Sequence, residues 1–393
     1  MVVKPRYRHT WADVHLDAIR HNIKEIRRRL PQKTKFMTAV KADGYGHGAV
    51  QAAAAALQAG SDALAVGLIS EALQLRESGI QVPILVLTPA LPADADLAAE
   101  YGISLTVCDE GWLREMRRHK QSRKPLRVHV KMDTGLGRIG IRHFSEWEAM
   151  APYLQSEDLI VEGVYTHFAT ANQADSDYYK RQFSRFKEMR GWVADSGFAG
   201  FIAHCSNSAA ALQYPEFSLD MVRVGAAVYG INPCDGEVKR RLDVELKPTL
   251  SLHSEIVQVK YVKQGESIGY DRSYTAVCDE WLGTVSIGYA DGCCKGYQGF
   301  YTLVDGQAAP IAGNICMDQI IIRLPRYYPV GTPVTLIGKQ RDREIKLNDL
   351  ADHIGSIPQQ VLAMITARVP RIYRGAESMS EIISARALSK ATG

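Results

Sequence analysis

Phe36-Met-Thr-Ala-Val40, followed by Lys41-Ala-Asp-Gly-Tyr-Gly-His-Gly48 and the alanine-rich run Ala49–Ala59, is the stretch on which the fold turns. Five residues without polar alternation read as a strand covered on both faces, which is the habit of parallel sheets. The alanine run reads as a helix, closed by Gly60. The same unit recurs along the chain. Further strands are expected at Ala63–Val66, Ile84–Leu87, Ser104–Val107, Arg127–Lys131, Ile160–His167, Phe201–His204 and Met221–Val224, with helical segments between most of them. Eight strands with helical crossovers predict a closed (β/α)8 barrel. An open doubly wound sheet is the competing architecture, but it wants a GxGxxG loop after its first strand, and none is there. Ahead of the unit, Ile19, Ile23, Ile26 and Leu30 share a helix face behind Asp17 as N-cap, and Pro31 ends that helix.

Near Lys247-Pro248 the pattern changes. Short segments follow, at His253–Val262, Leu282–Ile287, Tyr301–Val304 and Ile320–Leu324, separated by turns such as Asp305-Gly306. A late helix is expected around Gln360–Ala367. The chain therefore divides into a barrel over residues 1–246 and a smaller, mostly β domain over 247–393.

Composition narrows the function classes. A net charge of +4 on 393 residues, with no long Lys/Arg run, argues against a nucleic-acid partner. Arg27-Arg28-Arg29 suits the end of a helix. No apolar stretch is long enough to span a bilayer, and Met1–Arg6 lacks the core of a signal peptide. Seven scattered cysteines without CxxC pairing fit reduced thiols in a cytoplasmic protein, with metal binding the weaker alternative; no metal site is expected.

In a barrel of this kind, reactive groups gather at the C-terminal strand ends. Lys41 follows the first strand, Lys131 and Arg138 the fifth, His167 the sixth and Asn207-Ser208 the seventh; Arg223 and Gly225 lie on the eighth. A lysine beside three glycines and a tyrosine can be a solvated strand end, or an amine that loses its proton in a pocket and forms an imine. Ser208 with the backbone N–H groups of Gly225 and Ala226 makes either a phosphate cradle or a tight turn. Arg223 is either a structural ion-pair partner or a residue facing a heteroaromatic nitrogen, and His167 either a core histidine or its neighbour.

Val40-Lys-Ala-Asp-Gly-Tyr-Gly-His-Gly48 resembles the pyridoxal-phosphate attachment signature of bacterial alanine racemases. The resemblance continues through Lys131-Met-Asp-Thr-Gly-Leu-Gly-Arg138, Thr166-His-Phe-Ala-Thr170, His204-Cys-Ser-Asn-Ser208 and Met221-Val-Arg-Val-Gly225. It extends to Gly283-Thr-Val-Ser-Ile-Gly-Tyr-Ala-Asp-Gly292, Ile315-Cys-Met-Asp-Gln319 and Ala367-Arg-Val-Pro-Arg371. It covers nearly the whole chain.

The resemblance implies racemisation of L- and D-alanine, with D-alanine a peptidoglycan precursor, on a head-to-tail homodimer. Lys41 would form an imine with pyridoxal 5'-phosphate and serve the D face of the substrate; Tyr270 would serve the L face. Tyr45, Ser208, Gly225 and Ala226 would hold the phosphate, with Leu87 and Asn207 also on the cofactor. Arg223 would face the pyridine nitrogen, leaving it largely unprotonated, and His167 would bridge Arg223 to Tyr270. Arg138 would meet the phenolic oxygen and the substrate; Met317 and Asp318 would come with Tyr270 from the opposite subunit, and Tyr289 would line the entrance. Lys131 matches a lysine often carbamylated in relatives. An unperturbed phenol, with a pKa of about 10, is a poor base near neutrality, and an electropositive His167–Arg223 pair would favour its phenolate.

One position departs from the family: Gln359 stands where relatives place another phosphate-binding tyrosine. A broader alanine/serine racemase and a non-catalytic pyridoxal-phosphate carrier are the alternatives. A decarboxylase would carry a carboxylate where Arg223 stands.

Overall fold

Lys35–Ala39 is the first of eight parallel strands in the computed structural model, which describes residues 7–174, 177–234 and 236–375. The others are Ala63–Val66, Ile84–Val86, Ile103–Val107, Leu126–Lys131, Leu159–Tyr165, Ile202–His204 and Met221–Val224. The first seven pair in chain order, and the first also pairs with the eighth, Lys35 opposite Met221. The ring closes where Asp220 N donates to Ala203 O at 3.2 Å and Arg223 N to Ser206 O at 2.9 Å. Helices follow most strands, among them Ala49–Gln58, Ile69–Glu77, Glu110–His119, Phe144–Leu154 and Asp177–Asp195. Apolar strand residues such as Leu64, Ile84, Leu105, Val128 and Val164 are fully buried beneath them. The expected (β/α)8 barrel is the observed one, with strand bounds moved by a residue or two. The first helix, Leu16–Arg27, begins one residue before Asp17, so that carboxylate lies in the first turn and not at the cap.

The chain forms two compact units. One gathers Ala18–Gly44 and Ala49–Lys247; the other gathers the described chain up to Asp17, Tyr45–Gly48 and the described chain from Pro248. In the second, the long strand Leu250–Val262 organises a nine-stranded sheet among the described residues, pairing with Glu280–Val285, Pro333–Gln340 and Trp11–His15. Trp11–His15 also pairs in parallel with Arg371–Arg374. The sequence division at 246/247 puts Trp11–His15 with the barrel; the structure places it in this other sheet. Asp305 and Gly306 both have positive φ, 54° and 76°, between Tyr301–Val304 and Gln307–Pro310, as a type I′ hairpin turn requires. The late helix is Pro358–Met364. Residues 1–6, read above for targeting, and 376–393 lie outside the described residues. Among the described residues no helix is long and apolar enough to cross a membrane.

Candidate active site

Lys41 stands just beyond the first barrel strand at the start of an unusual turn. Ala42, Asp43, Gly44 and Tyr45 all have positive φ, at 52°, 52°, 62° and 52°. Three of the four carry a Cβ, so the turn is strained and needs support. Gly44 N donates to Val40 O at 2.8 Å, and Ala42 N to Glu71 Oε1 at 2.6 Å. Asp43 Oδ1 accepts from Ala49 N at 2.8 Å, which starts the next helix. Burial lowers the Lys41 amine below the ordinary lysine range, and Arg138 adds to this while Glu71 opposes it. An amine so placed gives up its proton readily.

The loop after the fifth strand is shaped by glycines where a side chain has no room. A Cβ on Gly140 would lie 2.8 Å from both Lys131 O and Asp133 N. Asp133 Oδ1 accepts from Gly135 N and Gly137 N at 3.1 and 2.9 Å, fixing the segment that presents the exposed Arg138. Lys131 is 1% exposed; its Nζ donates to Met132 O at 2.8 Å and lies 5.3 Å from the Tyr165 ring centre. Burial first, and then Arg223, pull its amine down to about 7.

Arg223 lies inside the barrel with its guanidinium 5.0 Å from the centre of the Tyr165 ring. Nη1 donates to His204 Nδ1 at 2.8 Å; Nη2 donates to Thr166 O at 2.6 Å and lies 3.3 Å from His167 Nδ1. Arginine only donates, so His167 Nδ1 accepts and its Nε2 keeps the proton. Burial, followed by the charge of Arg223, holds His167 well below its usual range. His167 is therefore neutral, and the positive charge expected of the His167–Arg223 pair resides on Arg223 alone.

Beside it, Ser208 Oγ accepts from Gly225 N at 3.0 Å and from Ala227 N at 3.4 Å, leaving its own hydrogen to donate. Ala226 opens a short 3-10 turn at the same place. Asn207 caps the helix Ser208–Gln213, accepting from Ala210 N at 3.0 Å while Nδ2 donates to Phe168 O at 3.4 Å. Leu87 follows the third strand and accepts from the Tyr165 hydroxyl through its carbonyl at 3.4 Å. The structure thus brings Arg223 and Lys131 to the Tyr165 ring, with His167 beside Arg223, and sets Ser208 against the N–H groups of Gly225 and Ala227.

The second unit carries the other expected residues. Tyr270 opens a turn in which Asp271 and Arg272 have positive φ, and Asn314 Nδ2 donates to Tyr270 O at 3.2 Å. Tyr289 N and Ala290 N both donate, at 3.0 Å, to the carbonyls of Cys316 and Met317. A Cβ at Gly288 would run into those same carbonyls, so only glycine lets the two loops approach this closely. Asp318 pairs with Arg368 at 2.6 Å. Tyr270, Met317 and Tyr289 are 70%, 53% and 41% exposed. Gln359 is the second residue of the helix Pro358–Met364 and is half-buried. Gly46, next to Tyr45, is held by Arg371, whose Nε donates to its carbonyl at 3.0 Å; burial pushes the Tyr45 hydroxyl up to about 12.

The barrel donor set fits pyridoxal phosphate. Lys41 offers an amine with a lowered pKa, Ser208 has a hydroxyl hydrogen left to donate to a phosphate, and Arg223 can donate to a basic ring nitrogen but not to a protonated one. Three supporting residues escaped the sequence reading. Tyr165 is the ring between Lys131 and Arg223. His204 is the acceptor that fixes Arg223. Glu71 ties Ala42 to Gly67 N (2.7 Å) and Leu68 N (3.1 Å), and its place three residues into a helix start was a readable capping signal.

A family model for the alanine racemase N-terminal domain matches residues 14–233, and one for the C-terminal domain matches 249–373. An alanine racemase of Geobacillus stearothermophilus is 46% identical over 380 residues, spanning 96% of this chain and 97% of its own. The crystal structure of an alanine racemase from Bacillus anthracis with bound L-Ala-P superposes with a TM-score of 0.92 at 40% identity, covering 95% of this chain and 97% of that one. A histidine racemase from Leuconostoc mesenteroides subsp. sake has a TM-score of 0.86 at 32% identity, covering 94% and 99%.

Proposed function

Since this chain belongs to the alanine racemase family, we propose that it interconverts L- and D-alanine with pyridoxal 5'-phosphate held at the C-terminal ends of the barrel strands. The observation that carries the reading is the Lys41 amine, depressed by burial and Arg138 at the exit of the first strand. Lys41 would hold the cofactor, with Tyr45, Ser208, Gly225, Ala226 and Gln359 on its phosphate and Leu87 and Asn207 against it. Arg223 would donate to its ring nitrogen, and Arg138 would meet its phenolic oxygen and the substrate carboxylate. When bound, the cofactor takes up the electron pair left on the α-carbon as its proton departs.

The chain's own residues do the rest. Lys41 removes or returns the proton on the D face, and Tyr270 does so on the L face. Met317, Asp318 and Tyr289 shape the approach. A base as exposed as Tyr270 does not work in a water-excluded site, and its exposure beside Met317 and Tyr289 supports a homodimer in which each active site takes Tyr270 from the partner. The lowered Lys131 amine supports carbamylation there, because carbon dioxide adds to a neutral amine. Seven scattered cysteines without CxxC spacing support a reducing, cytoplasmic setting.

Gln359, which lacks a tyrosine ring, favours one further reading, a pocket that also admits serine. The test is purified protein with pyridoxal 5'-phosphate against a panel of L-amino acids, with chiral analysis of products. Conversion of L-alanine above all others is expected. No D-product from L-alanine would overturn the proposal.

A further inference from the structure

The barrel interior holds a line of polar groups that the reaction does not use directly. Arg127, His129 and Lys131 alternate along the fifth strand and share its inward face. On the sixth strand a β-bulge leaves Glu162 out of register between Val161 and Gly163, and bulges re-aim side chains. The re-aimed carboxylate accepts from Ser104 Oγ at 2.5 Å and from Arg127 Nη1 at 3.1 Å, and lies 3.3 Å from His129 Nε2. His129 Nδ1 is 2.8 Å from His204 Nε2, and His204 Nδ1 is 2.8 Å from Arg223 Nη1. Both imidazoles are buried, at 2% and 0% exposure.

The protons on this line have only one consistent placement. Arg223 is donor-only, so His204 Nδ1 must be bare and its proton must sit on Nε2. That proton needs an acceptor, so His129 Nδ1 is bare and its proton sits on Nε2. The ionised carboxylate of Glu162 is acceptor-only and receives it. Either imidazolium would set two N–H groups against each other somewhere on the line. Burial works against charge on Glu162, but hydrogen bonds from His129 and Ser104 and the charge of Arg127 lower its pKa, which keeps it an acceptor.

We infer that Glu162, His129 and His204 form a buried positioning relay that fixes two histidine tautomers and thereby aims Arg223 at the cofactor ring. The aim toward the ring rests on the proposed function; the tautomers do not. The glycine at 163 belongs to the device, because a Cβ there would lie 2.5 Å from His129 Cε1. A tautomer change along the line puts a proton on His204 Nδ1 and costs Arg223 its Nη1 acceptor, leaving the guanidinium held through Nη2 alone, by Thr166 O and His167.

The full-length protein labelled with 15N-histidine tests the relay, with His129 and His204 assigned through His129→Asn and His204→Asn. At neutral pH, with or without pyridoxal 5'-phosphate, both rings should be neutral with the proton on Nε2. A proton on Nδ1 of either ring, or a doubly protonated ring, overturns the relay. Glu162→Ala should let the Nδ1–H form appear at His129, weaken pyridoxal 5'-phosphate binding and lower kcat on the order of tenfold, with KM less affected. Glu162→Gln, which keeps an acceptor, should restore all three. Unchanged tautomers and kcat in Glu162→Ala would also overturn it. Should the tautomers be as stated while the wild-type protein racemises nothing, the proposed function fails and the relay stands.

Discussion

Replacing Gly163 by alanine asks how much the buried line in the barrel contributes to stability. The added Cβ would sit 2.5 Å from His129 Cε1 and 2.9 Å from Ile202 O, where carbon needs about 3.5 Å. The imidazole or the strand must yield by roughly 1 Å, enough to take the 2.8 Å bond between His129 and His204 out of range. Overpacking of a tight interior costs about 1–3 kcal/mol. A buried nitrogen left without its partner adds about 1–3 kcal/mol. The sum, about 2–6 kcal/mol, should lower the melting temperature by at least about 4 °C in a domain of this size. Thermal unfolding followed by circular dichroism reads it. Gly191→Ala is the control, since that helical glycine has open space around it and should gain about 0.5–1 kcal/mol. A Gly163→Ala protein melting with the parent would refute the packing argument and weaken the relay with it.

Other outcomes follow from single residues. The Lys131 amine is held at about 7 in the fold against about 10.4 in the unfolded chain. Between those values the unfolded chain binds the extra proton, so stability rises with pH, and is lost as pH falls toward 7. Lys131→Met should remove that rise, on the order of 2 kcal/mol between about pH 7.5 and 9.5, in urea unfolding in buffer free of carbon dioxide; parallel curves for the two proteins would count against it. Gln359→Tyr should lower the dissociation constant for pyridoxal 5'-phosphate measured by fluorescence, and an unchanged constant would remove Gln359 from the phosphate site.

The barrel was legible because its strands are apolar runs bounded by loops, a local signal. The places of Lys41, Arg138 and Ser208 beyond their strands, and of Arg223 on the last one, were legible for the same reason, since a strand end is a position along the chain. Trp11–His15 was not. Its burial alternates residue by residue, and its partners, Leu250–Val262 and Arg371–Arg374, lie far along the chain, so nothing local marks its sheet. The neutrality of His167 was also hidden, because it depends on burial and on the guanidinium beside it. Glu162 was invisible as a site residue: only the bulge turns it inward, and a bulge is a property of two strands in register.

The most direct test follows the α-proton itself. In deuterated water, wild-type protein should exchange the α-hydrogen of L- and D-alanine alike, whereas Tyr270→Phe should lose exchange from L-alanine far more than from D-alanine. Equal losses from the two enantiomers would contradict a tyrosine on one face and Lys41 on the other.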